Sequence, residues 1–425
     1  MLGYLSLPPS SRADVDGQRT DPEWLTSFTN LDQGEPCRPR RSTNPFTLPP
    51  GFDPPHERAN VAAQLGALQD GAYPMTGFVE AIPSGVSSDP ATRRMVMDFF
   101  DAGTAPVTDF LARHFTICDR WFARLPGGTQ ANRLMAMSGT STIDGNRSVL
   151  PRQELVYDWL TRHHVRWRVY HQGIPFFTLM PHWIPEILGN DHFRAFMDFQ
   201  PDLVNTPLDE LPDVIFLEPT YGDAPHLGRS TDDHAPSGVS NGQEFLMEAY
   251  NAITRPSFWK GALLIITYDE HGGFFDHVSP PSIPTNSPAG EYPPFPSLGV
   301  RVPAYVVSPF VKAGGVSNAL LDHTSMLKLL GEKFNKGSYS AAVDARQVKS
   351  VSAVLDFSQP ITHPKAPDPV DDYLNQRPQV PPATLPPVTT KLREAFRDAA
   401  AELKRTGGLD HPKFGELVQH LPEGT

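Results

Sequence analysis

An open α/β sheet with helices on both sides is the fold class this 425-residue sequence predicts. Residues 262–267, Ala-Leu-Leu-Ile-Ile-Thr, form a continuous apolar run, the pattern of a strand buried on both faces as in a parallel sheet. Residues 302–307 form a similar run. An amphipathic helix predicted over 243–253 precedes the first run, and one near 324–334 follows the second. Strands separated by helices give α/β layering.

The remaining elements follow from local signals. Residues 1–55 are rich in Pro, Ser, Arg and Asp and read as irregular surface chain. Val61, Leu65 and Leu68 at helical spacing predict a helix over 57–68. Asp89 as N-cap and Pro90 at the first helical position predict another over 90–100, and a third is predicted over 107–115. Short strands are predicted at 167–171 and 213–218, the second stopped by Pro219. The character changes after Phe357: residues 360–388 are proline-rich and read as an extended strap, followed by a charged helix over 391–404 closed by Gly407-Gly408. The chain therefore divides into a body over 1–357 and a strap with a helical tail over 358–425, the tail carrying no evident chemistry.

Charge and composition narrow the partners. Lys and Arg total 36 against 48 Asp and Glu, a formal charge of −12, which disfavours nucleic acid and anionic membrane surfaces. No apolar run has the length of a transmembrane helix, and the first residues lack a basic region followed by an apolar core. Cys37 and Cys118 are too few for a disulfide framework; a single bridge remains open, and Cys118 reads as a small buried hydrophobe. The 46 prolines and 32 glycines cluster, which points to long ordered loops.

In open α/β sheets, ligands sit beyond the carboxyl ends of the strands. The run at 262–267 delivers Asp269, Glu270 and His271 to that edge, and Gly272-Gly273 turn the chain before Phe274-Phe275, Asp276 and His277. Adjacent carboxylates at a buried strand end repel each other and lose hydration; a bound cation removes both problems. A helix cap or surface turn is the alternative. Glu218 ends another strand, and His234 lies in the loop Asp232-Asp233-His234, where it either serves a site or bonds locally. Thr129, after Gly127-Gly128, is placed as the N-cap of a helical stretch over 130–137. A helix N-terminus also suits phosphate, and a hydroxyl there could attack phosphorus if a metal lowered its pKa.

Several segments, in order, resemble the bacterial phosphoesterase family that includes phosphatidylcholine-preferring (non-specific) phospholipase C and acid phosphatase A, with plant non-specific phospholipases C among its members. They are Cys118-Asp119-Arg120-Trp121-Phe122, Pro126-Gly127-Gly128-Thr129-Gln130-Ala131-Asn132-Arg133, Trp167-Arg168-Val169-Tyr170, Asp232-Asp233-His234-Ala235-Pro236, the long and specific stretch 267–278, and Asp322-His323-Thr324-Ser325. The resemblance spans roughly residues 1–335 and makes 1–357 the catalytic domain. It implies an alkaline-phosphatase-like α/β/α sandwich with a mainly parallel sheet. It also implies metal-dependent hydrolysis of phosphate esters, phospholipase C-like or acid phosphatase-like, through a covalent phospho-threonine. Thr129 falls at the nucleophile. Asn132 and Arg133 complete its motif and would hold the phosphoryl oxygens or the loop. Asp269 and Glu270 match the acidic pair for one divalent metal ion of open identity. His56, His234 and His323 match histidines lining the phosphate pocket, of which His234 is assigned proton transfer.

The family pattern starts with a hydrophobic strand and Glu-Asn-Arg-Ser-Phe-Asp-His and then continues much like Met1-Leu2-Gly3-Tyr4-Leu5-Ser6. The expectation is a sheet without its first strand and without the Glu-Asn pair that supplies two further metal ligands, about 20–30 residues lying upstream. In-frame codons for that motif in the upstream DNA would test it. The competing function is a truncated, non-catalytic member that at most binds phosphate compounds. A zinc peptidase has no support, since no His-Glu-x-x-His element occurs.

Overall fold

A three-stranded and a four-stranded sheet carry the fold, seen in a computed structural model that describes residues 1–42, 48–49, 51–189, 191–225, 230–283, 292–358, 360–361, 390–407 and 414. The strands are β1 (Thr116–Cys118), β2 (Trp167–His171), β3 (Phe193–Ala195), β4 (Val214–Glu218), β5 (Leu264–Thr267), β6 (Ala304–Val307) and β7 (Val316–Ser317). The first sheet has the order β3-β2-β4 and is parallel throughout. The second has the order β5-β6-β1-β7; its first two pairs are antiparallel and β1 pairs with β7 in parallel. The molecule is thus a mixed α/β protein.

The apolar run at 262–267 behaves differently from its prediction. Its strand starts at Leu264, pairs antiparallel with β6 (Ile265 opposite Val306) and is only half-buried. The reason is position: β5 is an edge strand, whereas β6, wholly buried, lies inside the sheet. β4 is likewise an edge strand, half-buried over residues 214–217. Leu217 of β4 and Ile266 of β5 line one cavity of about 430 Å³. Among the described residues no strand lies between these two edges.

Among the described residues the α-helices of eight residues or more are α1 (Arg58–Leu65), α2 (Pro106–His114), α3 (Thr129–Ser138), α4 (Ser240–Ile253), α5 (Thr324–Phe334) and α6 (Lys391–Arg405). α1 ends three residues earlier than its apolar spacing predicts, because Gly66 turns left-handed (φ +78°) and caps Ala62, leaving Leu68 outside and 50% exposed. Asp89 does cap the helix at Pro90, accepting from the amides of Ala91 and Thr92. That helix lasts only over Pro90–Arg93, however. A 3-10 turn follows at Arg94–Met97, and Asp98–Phe99 then pairs with Arg40–Arg41, held by the Arg40–Asp98 ion pair.

Two large apolar clusters flank the sheets. One gathers Trp159, Trp167, Phe177 and Phe193; the other joins α2, β6 and α4 through Phe110, Val306 and Tyr250. Each such side chain contributes about 1.5–3 kcal/mol when fully buried. α6 buries Leu392, Ala395, Phe396, Ala399, Ala400 and Leu403, one stripe at helical spacing, into the first cluster. The tail helix is therefore docked on the body. Most of the strap expected at 360–388 lies outside the described residues, as does Gly408. Both cysteines are free and buried.

Candidate active site

Thr129 is the first residue of α3, and its N-cap is Gly128, so the capping role expected for Thr129 falls to its neighbour. The chain is still extended at Gly128, which places Thr129 one step too far along the helix to cap it. The Thr129 side chain makes no capping hydrogen bond and is 7% exposed at the wall of the cavity. Asn132 fixes the loop before it. Its Nδ2 donates to the carbonyls of Leu125 (3.0 Å), Gly127 (2.9 Å) and Gly128 (3.3 Å), while its Oδ1 accepts from the Leu125 amide at 2.8 Å. Every polar atom of this buried amide is spent on backbone, so Asn132 holds the loop.

The segment before α1 packs against this loop. A Cβ on Gly128 would lie 3.1 Å from the Glu57 carboxylate. Next to Glu57, His56 donates from Nδ1 to the Pro54 carbonyl at 2.7 Å, which turns its Nε2 toward Glu270 Oε1, 3.9 Å away. The second glycine of the 272–273 turn makes this approach possible. Gly273 has φ +76°, and a Cβ there would sit 2.7 Å from Pro54 Cβ. Gln64 of α1 ties the same region together, donating to the Pro55 carbonyl (2.7 Å) and accepting from His271 Nε2 (2.8 Å).

His234 enters from the loop after β4. Its Nδ1 donates to the Ala235 carbonyl at 2.6 Å, and its ring lies 5.6 Å from that of His56. Asp232 accepts from the Gly222 amide (2.8 Å), and Asp233 accepts from the Tyr268 hydroxyl (2.5 Å), so the loop is stapled to the end of β5. Ligand atoms of Asp53, His56 and His234 lie within 4.8 Å of one another. In both imidazoles a backbone carbonyl holds Nδ1–H, so Nε2 is the nitrogen left for chemistry. Asp223 Oδ2 stands 3.7 Å from His234 Nε2.

Buried negative charge dominates this cluster. Burial raises the Glu270 pKa to about 7, Asp269 adding to the effect and His56 and His234 opposing it. Burial works against protonated His234, but Asp53, Asp223, Asp232 and Glu270 override it and raise its pKa to about 10. His56 is raised too, Glu270 and Asp53 outweighing burial. The surrounding carboxylates thus favour a proton on His234 and push His56 in the same direction. Asp53 Oδ1 is buried without a hydrogen-bond partner among the described residues.

His323 and Arg133 take different places. His323 donates from Nε2 to the Asp269 carbonyl (2.7 Å), and its Nδ1 accepts from Trp121 Nε1 (3.3 Å), so both ring nitrogens are committed. Arg133 lies over Phe176 (4.6 Å) and Tyr221 (5.5 Å), donates to the Tyr221 hydroxyl (2.8 Å) and lines the same cavity as Thr129, Asp269 and Glu270. Asp53, Asp223 and Tyr221 belong to the site although no motif marks them. The signal for Asp53 is its place three residues before His56.

A family model described as the phosphoesterase family matches residues 34–336. The chain belongs to the phosphoesterase family. Among its relatives, non-specific phospholipase C6 of Arabidopsis thaliana is 32% identical over 72% of this chain and 62% of its own length. Phospholipase C B of Mycobacterium tuberculosis is 29% identical, over 68% and 61% respectively. This phosphoesterase-family chain therefore spans less than two thirds of the length of these relatives. Among solved structures, a phosphonate monoester hydrolase from Silicibacter pomeroyi overlays at a TM-score of 0.35 and 10% identity, covering 60% of this chain and 72% of that one. So loose an overlay carries no weight, and the assignment rests on the sequence match. No helix among the described residues is long and apolar enough to cross a membrane.

Proposed function

We propose that this chain hydrolyses phosphate esters, in the manner of a phospholipase C or an acid phosphatase, with Thr129 as nucleophile. The observation that carries the reading is the convergence of Asp53, His56, His234 and Glu270 beside the loop that presents Thr129. What supports a divalent cation is the donor set: carboxylates in excess, two imidazoles with free Nε2 atoms, and a buried carboxylate oxygen without a partner. Asp269 and Glu270, with Asp53 and His56, would hold it. Bound there, such an ion polarises phosphoryl and hydroxyl oxygens.

The chain's own groups supply the rest. The phosphoryl group sits against the N-terminal end of α3 and the Arg133 guanidinium. Thr129 Oγ, its proton released to water and regained when the phospho-threonine is later cleaved, attacks phosphorus in line; the new O–P bond forms as the bond to the leaving alcohol breaks. His234 Nε2 gives its proton to the departing alkoxide. Water, losing a proton back to Nε2, then cleaves the phospho-threonine. Bound to a cation, Nε2 has no proton to give, so this role requires the ion to be held without His234. Asn132 and His323 position Thr129 and Asp269.

The test is release of phosphate from phosphomonoesters, or of phosphorylcholine from phosphatidylcholine vesicles. Thr129→Ala and Asp269→Ala should each abolish it. Full activity in both variants would end the proposal.

A further inference from the structure

We propose that α6, the helix beyond the proline-rich stretch, is a positioning element of the active site that fixes Arg133 from behind. The inference rests on the reading that Arg133 holds phosphoryl oxygens. Arg133 lies on a platform of two rings, Phe176 and Tyr221. Both rings rest on Phe396 of α6. Tyr221 stacks on it at 5.5 Å and 27°, and Phe176 meets it edge-on at 6.0 Å and 77°. Phe396 is fully buried, yet it and Leu392 contribute atoms to the wall of the cavity that Thr129 and Arg133 also line.

A second link runs through charge. Arg393 Nε donates to Asp223 Oδ1 at 2.7 Å, in a pair with little solvent exposure, and the other Asp223 oxygen faces His234. Thr390, the N-cap of α6, also donates to Asp223 Oδ1, at 3.4 Å. One turn of one helix therefore touches the supports of both Arg133 and His234. A guanidinium resting on rings takes part of its aim from them, here alongside the Glu218 carboxylate 3.8 Å from Arg133 Nη2. Without Phe396 the Tyr221 ring loses its backing, and the fork loses that part of its aim.

The test is calorimetric titration of the full chain with inorganic phosphate, as a double-mutant cycle. Phe396→Ala should weaken phosphate binding about tenfold, the scale of a desolvated cation–π contact. Arg133→Ala should weaken it more, and adding Phe396→Ala to Arg133→Ala should cost nothing further. Phe396→Leu, which keeps most of the buried volume but no ring, should show the same non-additivity if the alanine variant folds poorly. Unchanged phosphate affinity in the Phe396 variants, or losses that add in the double variant, would overturn the inference. So would a wild type that turns over esters but binds no phosphate. Ester turnover is measured separately: a wild type that binds phosphate with the expected cycle but cleaves no ester overturns only the hydrolase reading.

Discussion

His323 Nε2 donates to the backbone carbonyl of Asp269 at 2.7 Å, while Trp121 donates to its other nitrogen. Burial lowers the His323 pKa, which keeps the ring neutral and so preserves this donor–acceptor pattern. His323→Ala leaves a buried carbonyl and an indole N–H unpaired, at about 1–3 kcal/mol each. The variant should melt lower than wild type, with an altered near-ultraviolet tryptophan signal and at least a roughly tenfold fall in kcat. Wild-type turnover would show that Asp269 needs no such tie.

The turn at Gly273 is predicted to be as sensitive as any reacting group. A side chain there meets Pro54 and demands left-handed backbone, about 1–2 kcal/mol before any clash is counted. Gly273→Ala should push Pro54–His56 away from Glu270. Lower stability together with weakened metal binding by calorimetry is the expected pair of results. Unchanged metal affinity would mean that His56 and Asp53 are not donors.

His234 is expected to matter most for reluctant leaving groups. His234→Ala should cut hydrolysis of alkyl phosphates by about 10²–10⁴-fold, the usual span of a general acid. It should affect p-nitrophenyl phosphate far less, because that leaving group departs without a proton. Equal losses on both substrates would instead make His234 a ligand or a structural group.

One ion pair away from the acidic cluster sets an acid limit on stability. Arg301 donates twice to Asp276 at 2.7 Å; burial opposes the charged carboxylate, but Arg301 prevails and lowers the Asp276 pKa to about 2. A carboxyl depressed on folding stabilises above its unfolded pKa, near 3.9, and that contribution fades as pH falls from about 4 to 2. Asp276→Asn should therefore destabilise by about 2 kcal/mol at neutral pH. The gap from wild type should close below pH ~4 in denaturant titrations. A gap independent of pH would assign the loss to packing.

The sequence carried the regular elements and the densest motif well. Strand 167–171 and the helix ending at Ile253 lie where their patterns put them, because burial on one face enforces the period. Asp269-Glu270 and Gly128-Thr129 announce themselves as short motifs at element ends. Asp53 and Asp223 do not. They sit in irregular loops, where no periodicity exists to read, and reach the site only through contacts between distant segments such as Gly273 on Pro54. The run at 262–267 misled for a related reason: composition reports apolarity, but an edge and an interior strand can share it. The tail helix looked chemically silent because its contribution, Phe396 behind Tyr221, is a matter of docking alone.

In the proposed reaction Thr129 forms a bond to phosphorus. Incubating the full chain with a phosphate ester and a divalent cation, quenching in acid and mapping the peptides by mass spectrometry tests it most directly. A phosphoryl group on Thr129, absent when a chelator is added and absent from Asp269→Ala, is the predicted result. Ester turnover with Thr129 unmodified at every quench time, and undiminished in Thr129→Ala, would contradict it.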